Sequence, residues 1–316
     1  SITIDTLGDI NPCCKYRGSY GKLDTYKNIS DINFNDLTDE LAQGQWRPEC
    51  KSCKFDEGTG VRSRRQRYET RFTDDDFLLD LSLGNFCNLK CRMCSHDSST
   101  SWFSDSIALG IPKKHLVGFQ ISKPQIDSLI AFLSTLDKRI EIELKGGEPL
   151  MHPNSEYFFQ KLMDLSKTKT IKINCITNGT LVPDWFADAI ANIEVDLQIS
   201  IDGLYDTYEY VRGDNTQSWD QCLEKVEQFR SLPNIKLSYN YVVQNTTVHH
   251  VVQFTKLFNE RINWIVLNSP SYMAVNVMPE SSKQTIIDQL STINDDKINT
   301  VINLMKTSVD PKLYEQ

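Results

Sequence analysis

The chain has 316 residues, of which 40% are hydrophobic and 24% charged, with a net charge of −8 at pH 7. That is enough apolar material for a real core, and enough length for two or three modules or one large α/β domain with an appendage. No apolar run approaches the roughly 18 residues of a membrane-spanning helix. The opening Ser1-Ile2-Thr3-Ile4-Asp5 has no signal-peptide pattern, and the acidic balance argues against a nucleic acid as main partner.

Residues 1–75 are polar, poor in periodic apolar segments, and carry two cysteine pairs, Cys13/Cys14 and Cys50/Cys53. A metal would substitute for a hydrophobic core there. The chain starts in what reads as the middle of a module, so further sequence upstream of Ser1 is expected. A basic run, Arg62, Arg64, Arg65, Arg67 and Arg71, closes the segment. It reads as a solvated helix face or as a patch for an acidic peptide or phosphate.

From about residue 76, strand-like and helix-like segments alternate, which predicts parallel α/β architecture. Strands are expected at Phe77–Gly84, Ile140–Lys145, Thr170–Thr177, Val195–Ile201, Ile235–Val243 and Trp264–Asn268. A capping box at Ser122 and Gln125 opens an amphipathic helix that buries Ile126, Leu129, Ile130, Leu133 and Leu136. A second helix aligns Trp219, Cys222, Val226 and Phe229. Six βα units predict a partial (β/α)6 barrel of TIM type, since a closed eight-stranded barrel takes about 250 residues. The expected division is a cysteine-rich metal module over 1–75, the barrel over 76–270, and a helical extension over 271–316 that covers the barrel's open side.

The nine cysteines lie at 13, 14, 50, 53, 87, 91, 94, 175 and 222. An odd total without a secretory signal disfavours a disulfide framework and points to metal binding in a reducing, cytoplasmic compartment. Cys175 and Cys222 fall on apolar faces and read as core. The first barrel strand runs into Cys87-Asn-Leu-Lys-Cys91-Arg-Met-Cys94, a CxxxCxxC array. Three thiolates in so short a loop suit three irons of a cubane and leave the fourth open. Zinc, with His96 as fourth ligand, is the alternative. Polar motifs end the following strands: Gly146-Gly147-Glu148-Pro149, then Thr177-Asn178-Gly179, then Ser200-Ile201-Asp202-Gly203 with Arg212 beyond, and Val242-Val243-Gln244. Taken singly, each could be a turn or a cap. Together they sit where barrel enzymes assemble their sites.

This set resembles the radical S-adenosylmethionine (SAM) superfamily, with Met93 where many members carry an aromatic residue. The resemblance implies a 4Fe–4S cluster on Cys87, Cys91 and Cys94 whose open iron chelates SAM. It assigns Gly146, Gly147 and Glu148 to the SAM amino group, and Ser200 and Arg212 to its carboxylate and ribose. Asn178 and Asp202 would shape the pocket, and the Val243 backbone would lie against adenine. The implied activity is reductive cleavage of SAM, then hydrogen abstraction from a peptide, protein or small molecule, with flavodoxin or ferredoxin as electron donor. The N-terminal Cys13, Cys14, Cys50 and Cys53, followed by Glu57, Gly60, Ser63 and Arg64, resemble an auxiliary-cluster segment of SPASM/twitch type. Four cysteines allow one such cluster. Adjacent Cys13 and Cys14 diverge along an extended chain, so a fourth ligand would come from upstream or the site would be open; structural zinc is the alternative there. A cluster-binding scaffold without turnover and an RNA-modifying enzyme are the competing functions.

Overall fold

A computed structural model describes residues 1–26, 29–58, 62–213 and 215–307. Gly60 of the auxiliary motif lies outside them. Eight strands form one open sheet in the order β2-β1-β3-β4-β5-β6-β7-β8, with β2 and β8 at its edges. They are β1 (Ile2–Ile4), β2 (Ile10–Asn11), β3 (Asp76–Ser82), β4 (Arg139–Lys145), β5 (Ile171–Thr177), β6 (Glu194–Ser200), β7 (Ile235–Val243) and β8 (Arg261–Val266). The six expected strands are present, the last shifted toward the N-terminus. Two more come from the segment read as a metal module. β1 runs parallel to β3, pairing Ile2 with Leu79 and Ile4 with Leu81, and β2 folds back antiparallel. Ile2, Ile4 and Ile10 are buried, so the N-terminal segment extends the sheet as well as carrying cysteines.

The chain divides into two compact units. The first comprises residues 1–87, 96–176 and 183–196. Its helices are α1 (Asn35–Ala42), α2 (Lys51–Gly58), α3 (Arg64–Arg71), α4 (Phe103–Ala108), α5 (Lys123–Thr135), α6 (Ser155–Ser166) and α7 (Phe186–Ala189). The expected capping box opens α5, and Ile126, Leu129 and Leu133 are buried. Alternation along β4 sends Ile140, Ile142 and Leu144 into the core, while Glu141, Glu143 and Lys145 take the other face, as a period of two requires.

That second face is charged, whereas closed barrels usually fill theirs with branched apolar side chains. The basic helix α3 neutralises it. Arg64 pairs with Glu143 at 2.9 Å, and Arg71 pairs with Glu141. Arg65 turns back to Glu57 at 2.7 Å and to Glu69 at 2.5 Å. Arg62, Arg67 and Arg71 stay exposed, as a solvated face requires, while Arg64 and Arg71 pair with β4 and Arg65 with Glu57 and Glu69.

The second unit comprises residues 88–95, 177–182 and 197–316. Its helices are α8 (Tyr205–Arg212), α9 (Trp219–Arg230), α10 (Val251–Leu257), α11 (Glu280–Leu290) and α12 (Asp296–Met305). Tyr239 and Tyr241 of β7 stack with Phe254 and Phe258 of the α10 segment and with Trp264. On the opposite face Asn240 bonds Asn263, its register partner on β8, at 3.0 Å. The C-terminal extension packs α12 against β8, burying Ile298, Val301, Ile302 and Met305.

Ser63 ties the basic helix down. Its hydroxyl donates to Glu57 at 2.6 Å and accepts from the Gln66 backbone amide, and the Gln66 side-chain oxygen in turn accepts from the Ser63 backbone amide. Replacing Ser63 by Ala should therefore destabilise the protein by about 1–2 kcal/mol, the upper part of the range for a lost N-cap. Urea unfolding should show a lower midpoint with an unchanged slope.

Candidate functional site

In the first unit, the chain leading into Cys87 is fixed from two sides. Asn85 donates through its side-chain amide to the Val117 carbonyl at 2.8 Å and accepts from the Phe119 amide at 3.0 Å. The Ser101 hydroxyl donates to the Cys87 carbonyl at 2.7 Å. The Gly146-Gly147-Glu148 loop approaches from β4, and the Glu148 amide donates to the Phe86 carbonyl at 2.7 Å. Gly147 has φ of 55°, and a Cβ there would lie 2.3 Å from that same carbonyl. No side chain fits the approach, so the second glycine is needed for the backbone contact alone. Glu148 is 2% exposed, and its carboxylate caps the following turn by accepting from the Leu150 amide at 3.1 Å. Cys175 of β5 is buried, and burial first, with the neighbouring Glu148 charge second, raises its thiol well above the ordinary range.

In the second unit, the rest of the cysteine loop is held in the same manner. The Asn178 side chain donates to Asn88 at 2.9 Å, and Asn88 donates to the Thr180 hydroxyl at 3.1 Å. The Arg92 amide donates to the Val211 carbonyl near the end of α8 at 2.9 Å. Gly213, with φ of 90°, ends that helix where a Cβ would lie 2.4 Å from the Lys90 carbonyl. The Cys94 amide closes a turn onto the Cys91 carbonyl at 2.9 Å.

Arg212 is buried and donates to Asp202 at 2.9 Å, while the other Asp202 oxygen accepts from the Val242 amide at 2.7 Å. Burial alone would lower the Arg212 pKa, but the Cys91 thiolate and then the Asp202 carboxylate act against it, and the net direction is upward. Burial dominates at Asp202 and raises its pKa despite the arginine. The Arg212 Nε is buried without a hydrogen-bond partner among the described residues. A buried donor left unpaired costs about 1–3 kcal/mol, so this nitrogen suits a hydrogen-bond acceptor. Ser200 ends β6 half-buried. Val243 is buried, and its carbonyl accepts from the Leu267 amide at 3.1 Å.

Asn85, Asn88 and Gly213 were not singled out from sequence, although Asn88 follows Cys87, Asn85 lies two residues before it and Gly213 follows Arg212. Asparagine beside a cysteine and glycine just past a helix end are the signals that mark them.

The N-terminal cysteines also come together within the first unit. Cys13, Cys50 and Cys53 line a cavity of about 280 Å³ with Phe34, Leu37 and Trp46. Burial pushes the Cys13 thiol up, and the Cys50 thiol to about 11, with the neighbouring thiols adding to both. Three thiolates in an apolar cavity repel one another, and a bound cation removes that penalty. Cys14 does not line this cavity, whereas Cys13 lines both it and a second one. Cys14 lines that second cavity, and its charge acts on Arg64 and Tyr68. Among the described residues, no group of three or more Cys, His, Asp and Glu side chains is placed to hold a metal ion. A cubane asks for something different, thiolates at separate corners. His96 has its ring nitrogens 3.5 Å from the Ser106 hydroxyl and 3.6 Å from Asp97.

The fold and parts of the sequence have counterparts in known proteins. The uncharacterized protein MJ0907 of Methanocaldococcus jannaschii is 30% identical over 130 residues, which are 40% of this chain and 38% of that protein. A GTP 3′,8-cyclase of Aliarcobacter butzleri is 26% identical over 106 residues, 33% of this chain and 28% of the cyclase. The matches thus span well under half the length of either relative. The solved structure of native anSMEcpe with bound AdoMet superposes with a TM-score of 0.52 at 19% identity, covering 72% of this chain and 63% of that one. That likeness is one of fold. The model of the Radical SAM superfamily matches residues 81–258, from the end of β3 through α10, which is more than half of the chain. The chain therefore belongs to the radical SAM superfamily of enzymes.

Proposed function

We propose that this protein binds a 4Fe–4S cluster through Cys87, Cys91 and Cys94, cleaves SAM reductively, and takes a hydrogen atom from a peptide, protein or small-molecule substrate. The observation that carries the reading is how the strand-end motifs are spent. Glu148 bonds Phe86, Asn178 bonds Asn88, and Val211 bonds Arg92. Each fixes a backbone or side-chain position beside a cysteine, and such rigidity is what a metal-ligating loop without a core of its own needs. Cys87, Cys91 and Cys94 would hold the cluster, which when bound would supply the electron for reductive cleavage of SAM and so the radical chemistry of the family.

The remaining roles belong to this chain. Arg212 keeps donors for the SAM carboxylate while Asp202 holds its guanidinium in place. Glu148, buried beside Gly146 and Gly147, presents a carboxylate to the SAM amino group. Asn178 fixes the pocket wall, Ser200 offers its hydroxyl to the ribose, and the Val242–Val243 backbone borders adenine. Cys13, Cys50 and Cys53, with Cys14 or an upstream residue completing the set, bind an auxiliary cluster of SPASM/twitch type. A flavodoxin or ferredoxin in a reducing cytoplasm is the fitting electron source. One solved structure of anSMEcpe contains a Cp18Cys peptide beside AdoMet, which supports a peptide among the possible substrates.

The decisive experiment is anaerobic. Reconstituted and reduced, the protein should convert SAM to 5′-deoxyadenosine and methionine, and the Cys87/Cys91/Cys94→Ala triple variant should not. Reductive cleavage by the triple variant would sink the proposal.

Arg212 serves both the fold and the cofactor, and the two roles separate by design. Arg212→Gln leaves Asp202 buried and unpaired, at a cost of about 3–5 kcal/mol, while Arg212→Gln with Asp202→Asn should recover most of that stability. SAM affinity should fall about tenfold to hundredfold in both variants, the range for one lost charge-assisted hydrogen bond. Thermal unfolding and equilibrium SAM binding read the two effects.

Iron and sulfide should each reach about eight per chain, the content of two cubanes. Cys50→Ala with Cys53→Ala should leave about four of each, and should impair substrate turnover more than uncoupled SAM cleavage. Zinc in the wild-type module, or unchanged iron in the variant, would refute the auxiliary cluster.

A further inference from the structure

The second cavity, of about 370 Å³, lies in the first unit at the C-terminal ends of β3 and β4, where Ser82 and Lys145 finish their strands and Gly146 follows. The rest of its lining comes from the N-terminal segment, including Thr6, Arg17 and Cys14. It therefore touches both the glycine loop assigned to SAM and the cysteine segment. Substrates of barrel enzymes rest at this end of the strands.

Its polar groups are unevenly directed. The Lys145 ammonium gives one hydrogen bond, to Asp80 at 2.6 Å, and so retains two donors. Asp80 is 1% exposed, does not line the cavity, and has its second oxygen buried without a partner among the described residues. It fixes the ammonium from behind. The Arg17 guanidinium makes no hydrogen bond or ion pair among the described residues, its backbone amide alone being engaged, with the Glu49 carbonyl at 3.1 Å. Asp5 also lines the cavity, but one carboxylate oxygen is taken by the Leu7 and Asp9 amides at 2.9 Å each. The Thr6 and Ser82 hydroxyls add further capacity. The cavity thus carries two cationic donors, Arg17 and Lys145, beside one carboxylate, Asp5, and several hydroxyls that can donate or accept.

We propose that this cavity is the substrate site and that Arg17 and Lys145 hold a carboxylate of the substrate there. The proposal rests on the radical SAM reading for the identity of the reacting partner. Its chemistry is set by the cavity alone. The planar guanidinium matches a carboxylate in fork geometry. Lys145 is already paired with Asp80 and Asp5 also lines the cavity, so the charges present favour a singly charged carboxylate over a doubly charged phosphate.

The test is equilibrium binding to the full-length, anaerobically reconstituted protein. The probes are the peptide Ac-Gly-Glu-Gly-NH2, its glutamine counterpart Ac-Gly-Gln-Gly-NH2, and inorganic phosphate. The glutamyl peptide should bind at least about tenfold more tightly than the glutaminyl one, as expected for one charge-assisted contact. Arg17→Gln should remove that preference and leave the weaker affinity where it was. Lys145→Gln leaves Asp80 unpaired, so it is made together with Asp80→Asn, and should also remove the preference. Equal binding of the two peptides, a preference that survives Arg17→Gln, or phosphate binding more tightly than the glutamyl peptide overturns the carboxylate site. SAM cleavage measured on the same wild-type preparation separates the two readings. Cleavage without the preference defeats the carboxylate site alone, whereas the preference without cleavage defeats the radical SAM reading and leaves this site standing.

Discussion

The Cys87–Cys94 loop has too few apolar side chains to fold by burial, so its shape has to be imposed by neighbours. In this protein the imposing contact is close backbone approach. Gly147 and Gly213 each sit with positive φ where a Cβ would fall 2.3–2.4 Å from a loop carbonyl. Glycine loses more conformational entropy on folding than any other residue, and that cost is tolerated because no other residue permits the approach. Within each unit, hydrogen bonds from the same strand ends then set the loop position. In this light the motifs after β4 and β5 and at the end of α8 first build the cysteine loop's scaffold. Their suitability for a cofactor follows from where that scaffold leaves them.

The inner face of the sheet in the first unit poses a second problem, because Asp80, Glu141, Glu143 and Lys145 all point away from the helical layer. Unpaired, such carboxylates would be expensive to bury. Arg64 and Arg71 answer Glu143 and Glu141, and Lys145 answers Asp80. The pairs are only partly buried, which limits what each adds to stability. Their larger effect is on placement. Helix α3 has few apolar residues with which to find its position, and charge complementarity with β4 supplies the register.

Much of this organisation was legible in the sequence, and the exceptions share a cause. Ile140, Ile142 and Leu144 announce β4 through alternation, Ser122 and Gln125 announce α5 through a capping box, and CxxxCxxC declares itself by spacing. β1 was passed over because Ile-Thr-Ile is too short for a periodic signal and becomes a strand only by pairing with β3. The ion pairs of Arg71 and Arg64 carry no local signal because their partners, Glu141 and Glu143, are 70 and 79 residues away. Alternating charges on β4 look like a solvent face until a helix arrives to cover them. Asn88 escaped notice since its function is a bond to Asn178, 90 residues on. Local patterns could be read directly; features completed by a distant segment could not.

The parallel sense of β1 links these points to chemistry. Because Ile4 aligns with Leu81, β1 ends at the same edge of the sheet as β3 and β4, where the glycine loop begins. Thr6, two residues beyond, reaches the Gly146 backbone so closely that a Cβ there would lie 2.7 Å from its methyl group. The chain then turns on Asp5, which accepts the Leu7 and Asp9 amides, returns as β2, and delivers Cys13 and Cys14 directly. An antiparallel first strand would have ended at the opposite edge, far from Gly146. The same N-terminal segment therefore both extends the sheet and lines a cavity with Gly146 through Thr6, Arg17, Cys13 and Cys14.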